Sequence, residues 1–284
     1  MFKPDQYQLV DFGYGKKLER FAGIDVLRPC PAAEGIRPLD PAAFNAETCL
    51  SYCREQKEWH CNDQARADWS ICHGDVSFGI KPTPFGHLGV FCEQAVNWTW
   101  LDSIGSDLAG ARAINLFAYT GGTTLKLASL GASVVHVDAA KTVVNWGKDN
   151  AVRSGLSDRP IRWIVDDAMT FVQREIKRGN KYDIVVADPP AFGHGGKRAS
   201  WKIDRDLENL IRGLAEITAV NPKAILMTWH SMGINAAQLC GAIEDGFGLT
   251  IGAARNLGRM DLVSIDGRKL NCGHFYRWHR DSSG

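Results

Sequence analysis

The residues of this chain that could do chemistry fall in three short runs. Asp188-Pro189-Pro190-Ala191-Phe192 ends the apolar stretch Tyr182 to Ala187, placing a carboxylate, two prolines and an aromatic at one point. Consecutive prolines stop a strand, fix the backbone and remove amide donors, which exposes carbonyls beside the acid. Such an elbow suits a site that holds the planar edge of a substrate next to a transferable group. A plain Pro-Pro strand stop is the alternative. The second run is Ala118-Tyr119-Thr120-Gly121-Gly122-Thr123, which follows an apolar strand pattern and opens a helical one. The third is Asp138, at the tip of the next apolar run, Ser133 to Val137.

In an open α/β sheet, ligands bind outside the carboxyl ends of the strands, so the Gly turn and Asp138 form one pocket. A carboxylate there can accept hydrogen bonds from a ribose diol, which implies an adenosine-type cofactor. A dinucleotide site asks for G-x-G-x-x-G, with glycines for the tight turn and for approach to a pyrophosphate. This turn has only the adjacent pair Gly121-Gly122, so no pyrophosphate cradle is spelled out. S-adenosylmethionine has no phosphate, and its aminoacyl end needs backbone amides and a few polar side chains, which the turn supplies.

Positioning these residues takes a regular succession of elements. The apolar periodicity predicts strands near 113–117, 133–138, 161–165, 182–187 and 223–229. Helices are expected near 92–108, 122–130, 141–154, 168–178, 201–219 and 235–244, with a final strand pair from Gly248 to His279. The chain divides near residue 85. Before it, short apolar segments such as Tyr7 to Phe12 and Ser70 to His73 alternate with Gly and Pro, predicting a small β-rich or α+β domain with one helix around Phe44 to Trp59. The fold class expected is α/β, a Rossmann-like sheet over residues 85–284, with the small N-terminal domain over 1–84.

NLFAYTGG, the acidic end of the following strand, Asp166-Asp167-Ala168 and VADPPAF together resemble class I S-adenosylmethionine-dependent methyltransferases. Within that class they are similar to the large-subunit ribosomal RNA methyltransferase family that includes cytosine-5 enzymes. The likeness covers roughly residues 85 to 280. Gly89-Val90-Phe91-Cys92-Glu93-Gln94 looks like that family's G-[YF]-F-L-D-Q-R segment, which lies next to the cofactor; here Glu93 replaces Asp and Ala95 replaces Arg. The resemblance implies that Phe91, Glu93, Gln94, Asn150 and Ala168 belong to the cofactor pocket. With the layout above, Asn115, Phe117, Ala118, Tyr119, Thr120 and Gly121 surround the methionine portion, Asp138 binds the ribose and Ala139 flanks it. Asp167 approaches the adenine amino group, with Asp166 as its neighbour; a helix N-cap is the alternative role for this acidic pair. Asp188 borders both cofactor and acceptor.

Cytosine-5 methylation needs a nucleophile that adds to the ring, and thiolate suits it. The family places a cysteine after the fifth strand, whereas this chain reads Thr228-Trp229-His230-Ser231-Met232-Gly233. Serine without a strong base is a far weaker nucleophile, so direct transfer to a nitrogen or oxygen lone pair is expected. Asp188, Pro189 and the Pro190 carbonyl would orient the acceptor, Phe192 or Trp229 would stack on a base, and His230 could take a proton.

Formal net charge is +1, which does not announce a polyanion ligand. Local basic clusters exist: Lys197, Arg198 and Lys202 interleaved with Trp201, and six Lys or Arg against two Asp over 255–280. Clusters of this kind can touch phosphates and stack bases, although solvated surface charge explains them equally well. RNA is the expected partner. A small-molecule or protein methyltransferase and a catalytically idle cofactor-binding module are the alternatives. Eight scattered cysteines show no C-x2-C pair, so reduced thiols and no metal are expected. No apolar run approaches a membrane span and the N-terminus lacks an apolar signal core, so a cytoplasmic location is expected.

Overall fold

A computed structural model describes residues 1–45, 50–60, 68–193, 201–230, 236–248 and 255–280. The chain forms two compact units, both discontinuous in sequence. The first is Met1–Thr99, Asp149–Ser154 and Met260–Cys272, and the second is Trp100–Lys148, Gly155–Arg259 and Gly273–Gly284. The break near residue 85 read from the sequence falls inside the first unit.

The first unit is β-rich. Strands β1 (Tyr7–Gly13), β2 (Lys16–Phe21), β3 (Ile24–Pro29), β4 (Leu50–Cys53) and β5 (Glu58–His60) form one sheet in chain order. A separate hairpin joins β6 (Ser70–His73) to β7 (Val76–Gly79). Among the described residues of the span Phe44 to Trp59, strands stand where a helix was expected: Leu50 and Ser51 pair in parallel with Val26 and Leu27, and Tyr52 sits opposite Trp59. Their rings lie 5.2 Å apart, and this cross-strand packing overrides a helical pattern. Glu19, fully buried, holds the sheet's polar core: it accepts from Tyr7 Oη at 2.9 Å and pairs with Arg28 at 2.6 Å and Lys17 at 3.0 Å.

The second unit begins with helices α1 (Ala95–Ser103, of which Trp100 onward belongs here) and α2 (Gly105–Leu108). Strand and helix then alternate: β8 (Arg112–Leu116), α3 (Gly122–Ser129), β9 (Ser133–Asp138), α4 (Lys141–Arg153), β10 (Ile161–Val165), α5 (Ala168–Arg178), β11 (Ile184–Ala187), α6 (Ile203–Ile217), β12 (Ala224–Trp229) and α7 (Ala236–Phe247). Strands β13 (Arg255–Val263, of which Met260 onward belongs to the first unit) and β14 (Lys269–His279, of which Gly273 onward belongs to the second) complete a seven-stranded sheet ordered β10-β9-β8-β11-β12-β14-β13. β8 to β12 run parallel, and β14 is antiparallel to β12. β11 and β12 are buried along their whole length, as strands covered on both faces must be. This is the Rossmann-like arrangement expected, with its elements within a few residues of the predicted bounds.

The start of β11 is anchored by α5. Glu175, fully buried, accepts from Tyr182 Oη and Asn180 Nδ2 at 2.7 Å each and from Arg178 Nη1 at 2.8 Å. Burial pushes this carboxyl up, but the hydrogen bonds from Tyr182, Arg178 and Asn180 outweigh it and hold the group below the usual carboxylate range. The folded protein therefore binds this proton more weakly than the unfolded chain does. The resulting stability is present above about pH 4.3, the unfolded value, and is lost as pH falls through the lower folded value. Glu175→Gln is expected to lower unfolding free energy at pH 7 by about 1–3 kcal/mol and to flatten its decline below pH 5, as read from urea melts at both pH values.

Candidate active site

The order of the sheet reverses at β8. The chain leaves it first toward β9 and β10, then crosses back to β11 and β12, so a crevice opens at the carboxyl ends of β8 and β11. After Leu116 the chain turns through Phe117 (φ 55°) and Tyr119 (φ 51°), non-glycine residues in the left-handed region. Such strain persists only where the surroundings over-determine it. Here the Ala118 amide donates to the Val137 carbonyl at 3.1 Å and the Tyr119 amide to Asp138 Oδ2 at 2.9 Å. Gly121 (φ 88°) is the N-cap of α3, and no side chain caps that helix, so its positive end is suited to a carboxylate. α4 approaches closely at Gly147, where a Cβ would lie 2.8 Å from Trp163 and 3.4 Å from the Thr120 carbonyl carbon.

Asp138 ends β9. Its Oδ1 accepts the Ala140 amide at 2.9 Å while Oδ2 holds Tyr119. Burial raises the carboxyl's pKa, against the pull of the Ala140, Tyr119 and Ala139 amides. A carboxylate offers about four acceptor positions, so a desolvated one held by backbone amides still has capacity for a diol. Behind the turn runs a buried polar chain: Asn115 Nδ2 donates to Thr124 Oγ1 at 2.9 Å, and Thr124 Oγ1 meets His136 Nδ1 at 3.0 Å. Burial drives His136 down to about 3, so it is neutral. Asn115 thus fastens β8 to α3 and β9. Thr124 and His136 were not among the residues picked out from the sequence; a polar side chain amid an apolar strand was the signal available.

Past β10, Asp166 accepts the Asp167 amide at 3.0 Å and pairs with Arg174. Asp167 is exposed, and its Oδ1 caps α5 by accepting the Thr170 amide at 2.8 Å. Asp167 thus caps α5 through one carboxylate oxygen, with Ala168 buried as the first residue of the helix.

The elbow follows β11. Asp188 Oδ1 accepts from Thr228 Oγ1 and lies 3.4 Å from His230 Nε2, both residues at the end of β12. Thr228 was missed in the sequence, although it is a lone hydroxyl in the apolar run Ala224 to Trp229. The Pro190 carbonyl accepts from Trp201 Nε1 at 2.7 Å, so one of its lone pairs is taken within the protein. Phe192 is 72% exposed and bridges to Lys202. Two aromatic assignments need correction. Trp201 and Trp229, expected to stack on a base, are 7% and 1% exposed; Trp201 belongs to the core under α6, and Trp229 stacks on His274 with centroids 5.6 Å apart. Lys197, Arg198 and Ser231 lie outside the described residues.

Asn115, Phe117 to Gly121, Asp138, Ala139, Asp166 to Ala168, Asp188 to Phe192 and His230 thus all sit at the carboxyl ends of the parallel strands of the second unit. Phe91, Glu93, Gln94 and Asn150 belong to the first. There Glu93 and Gln94 form a buried turn, Asn97 Nδ2 donates to Gln94 Oε1 at 2.6 Å, and Asn150 Oδ1 accepts the Gly79 amide at 2.9 Å. Among the described residues no three His, Cys, Asp or Glu form a metal-holding group, and no helix is long and apolar enough to cross a membrane.

A ribose acceptor, a helix N-terminus without a capping side chain and no pyrophosphate cradle together suit S-adenosylmethionine. Asp138→Ala removes the strand-end carboxylate and with it the Tyr119 tether. Calorimetry with S-adenosylhomocysteine should show a loss of about 1.5–3 kcal/mol, roughly 10- to 100-fold, and the native protein should bind this ligand far more tightly than NAD.

Comparison with known proteins agrees. The sequence model of the S-adenosylmethionine-dependent methyltransferases matches residues 51–240. The ribosomal RNA large subunit methyltransferase K/L of Shewanella frigidimarina is 28% identical over 203 residues, 71% of this chain but 27% of that protein. The ribosomal RNA large subunit methyltransferase K of Neisseria meningitidis serogroup B is 33% identical over 57% of this chain and 46% of its own length. The chain thus spans about a quarter of the K/L relatives it matches. Among solved structures, a SAM-dependent methyltransferase from Agrobacterium tumefaciens superposes with a TM-score of 0.87 at 32% identity, over 98% of this chain and 92% of that one. A putative methyltransferase complexed with SAH shares the fold at 18% identity and a TM-score of 0.77, over 97% of this chain and 76% of that one. With two thirds of its length matched and a strand-end carboxylate beside a turn fit for an adenosyl group, the chain belongs to the S-adenosylmethionine-dependent methyltransferases, enzymes that take S-adenosylmethionine as cofactor.

Proposed function

We propose that the protein transfers the methyl group to a nitrogen of an RNA base, by direct transfer and without a covalent enzyme–base adduct. The observation that carries this reading is the elbow: Asp188, held by Thr228 and His230, beside an exposed Phe192. S-adenosylmethionine supplies an electrophilic sulfonium methyl group. Asp138 and the turn 117–121 hold its adenosyl and aminoacyl ends, while Asp167 and Ala168 complete that assignment within the second unit. The Asp188 carboxylate accepts an N–H from the acceptor, so that a nitrogen lone pair faces the methyl group. As the N–C bond forms the S–C bond breaks, S-adenosylhomocysteine leaves, and the nitrogen's proton passes by way of Asp188 and His230 to solvent. Positioning of this kind supplies much of the rate. Phe192 offers an aromatic face to the base, and Lys197, Arg198 and Lys202 offer charge to phosphates.

RNA as acceptor is supported by the ribosomal RNA methyltransferases among the relatives, and a cytoplasmic location follows from that substrate. The net charge of +1 favours the second reading, a small-molecule or protein acceptor. Radiolabelled methyl transfer to total RNA, protein and metabolite extracts separates the two. RNA should take the label, and label in protein or metabolites alone overturns the reading.

Asp188→Ala should lower transfer by about 100-fold or more while S-adenosylhomocysteine binding stays nearly intact. RNA carrying 5-fluorocytosine should give no cross-linked band on a denaturing gel, because Ser231 stands where a thiol nucleophile would be.

A further inference from the structure

Trp201 touches both halves of the active site. Its ring packs against Phe117 in the cofactor turn, with centroids 5.2 Å apart and planes tilted by 55°. Its Nε1 donates to the Pro190 carbonyl at 2.7 Å. Its own carbonyl accepts the Gly193 amide at 3.0 Å, and the Ile203 amide donates to the Ala191 carbonyl at 3.1 Å. The contact along this short ribbon is close, since a Cβ on Gly193 would lie 3.1 Å from the Cβ of Trp201. The indole is 7% exposed, and so is screened from water.

The prolines make this contact matter. Neither Pro189 nor Pro190 has an amide with which to tether the elbow, so the tether must come from outside it. Phe117, whose ring packs against the indole, sits in the left-handed region, a conformation that persists only where its surroundings hold it. Aromatic neighbours at this separation have preferred tilts, so a shift of one ring moves the other.

We propose that Trp201 is a positioning residue that couples the two sites: filling the cofactor turn fixes Phe117, and the indole passes that constraint to the elbow that presents the acceptor. The assignment of the elbow rests on the proposed function; the link from turn to elbow does not. Such coupling is reciprocal, so a bound acceptor tightens the hold on the cofactor by the same factor.

The test uses amide hydrogen exchange with S-adenosylhomocysteine alone, so it needs no acceptor. In the native protein the ligand should slow exchange of the Gly193 and Ile203 amides by about fivefold or more. Trp201→Phe keeps a ring against Phe117 and removes the Nε1 donor. It should abolish that ligand-dependent protection while the dissociation constant for S-adenosylhomocysteine stays within about threefold, and it should lower kcat for methyl transfer by about tenfold. If Trp201→Phe does not fold, Phe117→Leu, which removes the ring on the other side of the contact, should give the same loss of protection. Absence of protection in the native protein, or protection retained in the variant that folds, overturns the coupling. A native protein that shows the protection but leaves RNA unmethylated overturns the proposed acceptor instead.

Discussion

Everything at the active site depends on parallel pairing of β8 with β9 on one side and β11 on the other. Parallel strands joined by right-handed helical crossovers must send their connections to opposite faces when the order reverses, and the loops then part above the reversal. That gap is where the Phe117 turn, the Asp138 tip and the Asp188 elbow all end. None of the three could be moved to the amino ends of the strands without losing the space between the crossovers. Site and topology are one constraint.

Within that space the protein commits its hydrogen-bond donors to fixing acids. Asp138 is held by two amides of neighbouring loops, Asp167 by the first turn of its own helix, and Asp188 by a hydroxyl from the adjacent strand. Each carboxylate is thereby aimed before any ligand arrives, which is the property preorganised sites need. The difference among them is the donor's origin. Asp138 ties the turn to β9, so its geometry tracks the Phe117 turn, whereas Asp188 is tied to β12 and moves with that strand.

The succession of strands and helices in the second unit was legible because apolar runs of strand length alternate with amphipathic segments, and because Gly121, Asp138 and the Pro pair punctuate them. Asp138 and Asp188 were legible as strand-end acids. What failed was the reading of Trp201 and Trp229 as exposed: a tryptophan beside lysines looks like a nucleic-acid contact, but sequence spacing does not say which face of a strand or helix start is covered. Around Leu50 to Trp59 the failure was different. A helical pattern there lost to pairing with β3, a partner more than twenty residues away whose edge could not be seen locally. Thr228, Thr124 and His136 act through hydrogen bonds between separate elements, and a polar side chain in an apolar run does not name the partner it will meet.

The first unit draws on three separated stretches of chain, the last ending at Cys272. Domains usually fold in the order in which they are synthesised, at about 5–20 residues per second. Here the β-rich unit cannot follow that order, because its strands lack their full complement of neighbours until Met260–Cys272 has been made. Until that stretch arrives the edges of the β-rich sheet stand open to chance partners, the condition under which nascent chains draw on chaperones.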